Sequence, residues 1–371
     1  MTDAAVLFEE RLSGAGKKVA IATLNAEKTL NSLTLEMVDL LSDQLLKWQQ
    51  DDAITCVFLH GAGPKALCAG GDIQQLYQSA IGQPGGPCEY AETFFSREYR
   101  LDYLLHTYGK PIVCWGHGIV MGGGLGLMVG CSHRVVTERT RMAMPEVTIG
   151  LFPDVGGSWF LNRIPGRVGL FLALTAAQMN ASDCIYTGIA DRFIENAHKE
   201  AVLADLMSID WHSDNISHGE QITAVLRGYE QRSQATKPAD NVAEHYTLIQ
   251  QLTDQNNFYD IVDTIIAYQS DDSWMANASA ALKNGSPLSA CNIVQILEKT
   301  KQMSLSEVFQ FELMLATNIV RHPEFAEGVR ALLIDKDKAP KWQYPSVRDV
   351  PANLLQQMMT PPWTNNPLAD I

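Results

Sequence analysis

Positive charge is scarce in this chain: 28 lysines and arginines stand against 42 aspartates and glutamates, a net charge of −14 over 371 residues. That balance argues against nucleic acid or an anionic membrane as a general partner, because the overall field repels polyanions. No apolar run approaches the roughly 20 residues that a membrane span requires. The seven cysteines include no CxxC pair and no Cys/His metal spacing. They read as reduced thiols, with Cys114 and Cys131 in apolar surroundings expected in the core. The turn Gly61-Ala62-Gly63-Pro64-Lys65 lacks the GK[ST] step of a phosphate-binding loop. The start, Met1-Thr2-Asp3-Ala4-Ala5, shows neither a basic-plus-apolar signal nor an Arg-rich transit pattern. The expectation is a cytoplasmic protein, or a mature form already processed.

What is present is an ordinary globular balance, 46% hydrophobic and 19% charged. The length suffices for one sizeable core, expected over residues 1–205, and a helical extension over 206–371. Strand-like runs at 19–24, 54–60, 111–115 and 134–137 alternate with helical patterns at 35–49 and 90–106, which is an α/β arrangement. Helical patterns dominate later, at 201–208, 241–251, 290–299 and 306–320, with Ser286-Pro287 marking a break. The proline-rich tail 361–367 is expected to be extended and poorly ordered.

Two glycine-rich turns each follow a strand-like run. Leu67-Cys68-Ala69-Gly70-Gly71-Asp72 leads into a helix from Ile73, with Asp72 and Gln75 spaced as a capping box. Met121-Gly122-Gly123-Gly124 opens a second helix. Glycines at a helix start leave backbone N–H groups uncovered and aligned with the positive end of the helix dipole. Two such turns can aim two N–H groups at one oxygen, the geometry of an oxyanion hole. The plainer reading is that these glycines only permit tight turns.

A third segment, Ala143-Met144-Pro145-Glu146-Val147-Thr148-Ile149-Gly150-Leu151-Phe152-Pro153-Asp154-Val155-Gly156-Gly157, holds two carboxylates among apolar residues. Its prolines favour a shaped loop over a helix. Carboxyl groups in such surroundings resist ionisation unless partnered, and groups of that kind are often catalytic. Alternatively, Asp154 caps a helix beginning near Ser158 and Glu146 is a turn residue. A further acid, Glu98, lies on the apolar stripe Phe94, Leu101, Leu105 of the 90–106 pattern, where it is either paired or part of a site. His60, His117 and His133 read as structural.

Cys68-Ala69-Gly70-Gly71-Asp72, the Gly122-Gly123-Gly124 turn and Pro145-Glu146 occur in the order and spacing of the crotonase (enoyl-CoA hydratase/isomerase) superfamily, which the chain resembles. Gly150-Leu151-Phe152-Pro153-Asp154-Val155-Gly156-Gly157 and the late Glu327–Asp337 segment resemble the 3-hydroxyisobutyryl-CoA hydrolase branch. The resemblance implies a spiral of ββα units with a helical C-terminal region, and hydrolysis of a short β-hydroxyacyl-CoA, a step of valine breakdown. It implies that Gly71 and Gly123 N–H groups hold the oxyanion and that Glu146 is nucleophile or base. It further implies that Asp154 and Glu98 meet the substrate's 3-hydroxyl, and that Ala69, Gly70, Gly71 and Asp72 lie along coenzyme A. No metal or redox cofactor is implied, and the acyl-CoA is the expected partner. Family members often form trimers or hexamers, although the added helices could cover that interface within one chain. Lys336, in an alternating charge run, could meet coenzyme A phosphates or simply be solvated.

Hydratases of the superfamily carry a second glutamate three residues after the middle glycine of the GGG turn. Here that position is Gly126, which offers no acid, so paired acid–base hydration loses ground to thioester hydrolysis. Two rivals of other classes remain. Gly116-x-Gly118 and Gly122 imitate a dinucleotide-binding fingerprint, but Met121 occupies the third glycine's place. A non-catalytic acyl-CoA-binding protein would have little reason to keep Glu98, Glu146 and Asp154 together.

Overall fold

The computed structural model describes residues 4–13, 16–211 and 216–371. They fall into two compact units, each assembled from three stretches of chain. The first comprises Met1–Gly71, Leu104–Met142 and Met179–Ala243, the second Asp72–Tyr103, Ala143–Gln178 and Glu244–Ile371.

The first unit is built on strands β1 (Val6–Leu12), β2 (Lys18–Leu24), β3 (Ile54–Gly61), β4 (Ala66–Cys68), β5 (Ile112–Gly116), β6 (Ile119–Met121), β7 (His133–Val136), β8 (Arg141–Ala143) and β9 (Arg192–Phe193). A six-stranded sheet runs β1-β2-β3-β5-β7-β9, and a three-stranded sheet runs β4-β6-β8. From β2 to β9 the large sheet is parallel, and only β1 is antiparallel to its neighbour. β2, β3 and β5 are buried almost throughout, which is why they read as continuous apolar runs without alternation. β1 is an edge strand carrying Glu9, Glu10 and Arg11, charges that discourage pairing with another chain. Each of the pairs β3–β4, β5–β6 and β7–β8 puts its first strand in the large sheet and its second in the small one. That alternation is the spiral of ββα units.

One face of the large sheet is covered by the helix His218–Ser233, absent from the sequence expectation. Ile222, Leu226 and Tyr229 form its inner stripe and join a cluster with Phe58, Trp115 and Val135. Its start is fixed by a capping box in which Ser217 and Glu220 each accept from the other's backbone N–H, at 3.3 and 2.8 Å. Burying each aliphatic side chain of this stripe contributes about 1.5–3 kcal/mol. Cys114 and Cys131 are core residues, as expected, and all seven cysteines are buried and outside any disulfide.

The second unit is helical. The helices Pro287–Thr300 and Leu305–Val320 extend the patterns seen at 290–299 and 306–320. Ser286 caps the first of these and Pro287 occupies its opening turn, so the expected break is a helix start. Phe258–Ala267 and Ser273–Asn284 are further helices that the sequence left unassigned. The tail differs from the expectation because it is held at its end. Asn366 donates to the Gln310 carbonyl at 2.9 Å, Arg100 clasps Asp370 at 2.7 and 2.9 Å, and Leu368 is fully buried. Among the described residues no helix is long and apolar enough to cross a membrane.

Candidate active site

The two glycine turns belong to the first unit and lie side by side. β4 and β6 are parallel neighbours, and each runs into its glycines. Gly70 has φ +106°, a conformation that side chains rarely allow, and its carbonyl accepts from Leu33 N at 2.8 Å. Gly122, at φ 47° and ψ −122°, precedes the helix Gly123–Val129. A Cβ placed on Gly124 would stand 2.4 Å from the Cys68 carbonyl oxygen, so only glycine lets the turns approach this closely. A Cβ on Gly70 would lie 4.0 Å from Gly123 N. Among the described residues neither the Gly71 nor the Gly123 N–H is taken up by a protein acceptor. Two free donors on adjoining turns, one at a helix start, suit a developing oxyanion. In the same helix Gly126 is buried with no carboxyl group to offer. His117, beside the second turn, has its Nε2 2.9 Å from the Gly63 carbonyl, the structural place expected of it.

Ala69 sits in the first turn, its N–H donating to the Leu30 carbonyl at 3.1 Å. Asp72 opens the helix Ile73–Gly82 and accepts from Gln75 N at 3.4 Å.

The carboxylates gather in the second unit. Glu146 begins a short 3-10 turn, Glu146–Ile149, closed by Gly150 at φ +73°. The Gly150 N–H returns to the Glu146 carbonyl, so proline before the acid and glycine after it shape the loop. Asp154 does not cap the helix Gly157–Leu161. Gly156 holds that position, and the Asp154 carboxylate instead accepts the Tyr99 hydroxyl at 2.6 Å. Glu98 lies on the buried face of the helix Glu89–His106, with Phe94, Leu101 and Leu105 buried along the same stripe. Glu98, Glu146 and Asp154 are only 2%, 4% and 5% exposed. Among the described residues Glu98 Oε1 and Glu146 Oε2 are buried without a hydrogen-bond partner, unusual for carboxylate oxygens and suited to a ligand's hydroxyl or water.

These three acids share one electrostatic environment. Burial holds the Glu98 carboxyl well above its ordinary range, and the charges of Asp154 and Glu146 push it further. Burial and then the Asp154 charge do the same to Glu146. Asp154 is pushed up by burial to about 6, the Tyr99 hydroxyl drawing it back. Acids so placed resist ionising together and titrate as a group rather than singly. A carboxyl with proton affinity raised towards neutral pH is a better general base than an ordinary one.

Two residues that support this site from behind went unnoticed in the sequence. Tyr99 follows Glu98 directly and orients Asp154. Glu312, in the helix Leu305–Val320, is fully buried and accepts from Gly156 N at 2.7 Å, Ser158 N at 2.9 Å and Ser158 Oγ at 2.6 Å. Burial pushes its carboxyl up to about 8 against those three donors, and the Asp154 charge adds to the rise. Val308, Glu312, Leu315 and Ile319 form a buried stripe at helical spacing. The signal that singled out Glu98 was therefore present for Glu312 too. In the late segment Arg330 binds Glu327, Asp335 and Asp337 at 2.8, 2.6 and 2.7 Å, so the acids of the charge run fold that loop.

A family model described as enoyl-CoA hydratase/isomerase matches residues 19–359. The chain belongs to the enoyl-CoA hydratase/isomerase family. Its fold is the crotonase fold, α/β with a helical C-terminal region. A curated zebrafish relative (Danio rerio) named "3-hydroxyisobutyryl-CoA hydrolase, mitochondrial" is 39% identical over 340 residues, covering 91% of this chain and 85% of its own. The human protein of the same name is 36% identical over 350 residues, 94% of this chain and 87% of its own. Among solved structures, a carnitinyl-CoA dehydratase from Mycobacterium thermoresistibile superposes with a TM-score of 0.83 at 31% identity, covering 95% of this chain and 96% of that one. Within the family, then, similarity reaches both hydrolases and enzymes named for water removal.

Proposed function

We propose that this protein hydrolyses 3-hydroxyisobutyryl-CoA, releasing the free acid and coenzyme A as in valine breakdown. The observation that carries the reading is the trio Glu98, Glu146 and Asp154, buried together with two carboxylate oxygens unpartnered. The names of the curated relatives support it. Gly126, where a hydratase would need its second acid, weighs against hydration.

In this reading the Gly71 and Gly123 N–H groups hold the thioester oxygen as it gains negative charge. Glu146 drives the attack in one of two ways. As a nucleophile its carboxylate bonds to the carbonyl carbon, the C–S bond breaks, the thiolate leaves, and water opens the resulting anhydride. As a base it takes a proton from the water that attacks directly. Both routes consume one water and yield one acid and one thiol, a good leaving group that needs no strong acid behind it. The balance calls for no metal or redox cofactor, so activity should survive exhaustive chelation. Asp154 and Glu98 bind the substrate's 3-hydroxyl, and a site built to bond a hydroxyl rejects the analogue lacking it. Ala69, Gly70, Gly71 and Asp72 line the path of coenzyme A.

The test is release of thiol from 3-hydroxyisobutyryl-CoA measured beside hydration of crotonyl-CoA. Rapid thiol release with little hydration is expected, and fast hydration without thiol release overturns the assignment. The cytoplasm expected from the sequence and the mitochondrion in the relatives' names are both reducing, and seven cysteines outside any disulfide suit either. Cell fractionation tests the cytoplasmic reading.

A further inference from the structure

The turn that carries Asp154 is held in an unfavourable backbone conformation by a residue far away in sequence. Val155 has φ +53° and Gly156 φ +81°, two consecutive left-handed residues. For glycine this is ordinary, but for a buried β-branched valine it is an outlier that the surroundings must enforce. Locally the turn has one bond of its own, from Gly157 N to the Asp154 carbonyl at 2.7 Å. The helix that follows, Gly157–Leu161, is short and begins at a glycine with no side chain to cap it.

Glu312 supplies what is missing. One carboxylate oxygen takes the Gly156 N–H and the other takes both the N–H and the hydroxyl of Ser158. Three residues earlier, on the same side of its helix, Phe309 packs against Tyr99 with ring centroids 6.0 Å apart, and Tyr99 donates to Asp154. One helix thus braces Asp154 twice, through the backbone after it and through the phenol that bonds it. An aspartate just before a short helix would ordinarily turn its carboxylate onto that helix's free N–H groups. Here those groups are already occupied.

We propose that Glu312 is a positioning residue: by capping the turn after Asp154 it frees the Asp154 carboxylate to select the 3-hydroxyl of the substrate. This rests on the reading that Asp154 meets that hydroxyl. Glu312 itself touches no reacting atom. Glutamine in its place keeps the shape but sets an amide NH2 where one of the oxygens facing the Gly156 and Ser158 N–H groups stood. The Asp154 turn then relaxes or Asp154 turns inward, and the preference for hydroxylated substrate falls.

The experiment compares kcat/KM for 3-hydroxyisobutyryl-CoA and isobutyryl-CoA, which lacks the hydroxyl, in wild type, Glu312→Gln, Asp154→Asn and the double variant. A misplacement of about 1 Å can cost on the order of 100-fold. Glu312→Gln should therefore lower the ratio of the two substrates by about 10- to 100-fold, with the isobutyryl-CoA rate held within about threefold. The double variant should lose no more selectivity than Asp154→Asn alone, since the two act as a unit. Adding Val155→Gly, which adopts positive φ freely, should restore part of the ratio to Glu312→Gln. This pair also carries the test if the single variant folds poorly. An unchanged ratio in Glu312→Gln while Asp154→Asn loses it overturns the inference and leaves the Asp154 reading intact. Equal losses on both substrates mean Glu312 is only structural, and the inference falls. If Asp154→Asn keeps the wild-type ratio, the Asp154 reading fails and the inference fails with it.

Discussion

Replacing Asp154 by asparagine should make the ligand-free protein more stable at pH 8 while damaging its selectivity. Asp154 is buried beside Glu98, Glu146 and Glu312, and its carboxyl rises from an ordinary 3.8 to about 6. A group raised in this way favours the folded state fully below its unfolded value, near 3.8, and that contribution is lost as pH climbs through about 6. Above pH 7 the folded protein carries a charge that the unfolded chain holds at no penalty. At about 1.4 kcal/mol per tenfold change in proton affinity the difference comes to about 3 kcal/mol. Asparagine removes the ionisation and keeps an oxygen for the Tyr99 hydroxyl. Unfolding entropy of about 2.1 cal/mol/K per residue puts the rise in Tm of a chain this size near 4 °C, if it unfolds as a whole. The assay is thermal unfolding of wild type and variant across pH 4–8. Their difference should be near zero at pH 4 and grow through pH 6, the pattern of a site whose chemistry is kept at the expense of stability. A variant less stable than wild type at pH 8, or an advantage independent of pH, refutes the reasoning.

Gly123 stands first in its helix, a position where proline is tolerated, so Gly123→Pro should fold normally and lose about 100- to 1,000-fold in kcat, read by thiol release; near-normal turnover puts the oxyanion donor elsewhere. Gly124→Ala drives a methyl towards the Cys68 carbonyl and should cost about 1–3 kcal/mol in denaturant unfolding, with a parallel loss of rate as the two glycine turns part. Glu146→Gln should bind substrate yet turn over several orders of magnitude more slowly, whereas wild-type activity should rise with pH as Glu146 ionises above its ordinary 4.5. Single turnovers in ¹⁸O-water then separate its roles, since label in the Glu146 carboxylate marks an anhydride; a Glu146→Gln enzyme as fast as wild type removes the residue from the mechanism.

Much of the candidate site is legible because it is written in short-range sterics. Glycine at positions 70, 122 and 150 permits the positive φ values each turn requires, and proline before Glu146 shapes the loop that offers the acid. Helix starts at Asp72 and Ser286 are likewise local, being set by side chains that reach three residues ahead. The helix His218–Ser233 escaped notice because its stripe of Ile222, Leu226 and Tyr229 is thin and set among polar residues. Its place became evident only once the sheet it covers had formed.

The sequence by itself determined the family, the alternation of strand and helix, and the identity of Glu98, Glu146 and Asp154 as acids out of place among apolar neighbours. Only the tertiary structure decided that each unit is assembled from three separate stretches, that Tyr99 rather than a helix start receives Asp154, and that Glu312 secures Gly156 from 156 residues away. The division is physical. Backbone conformation depends on neighbours along the chain, whereas proton affinity and side-chain aim depend on which buried surfaces meet, and no run of residues states its partner.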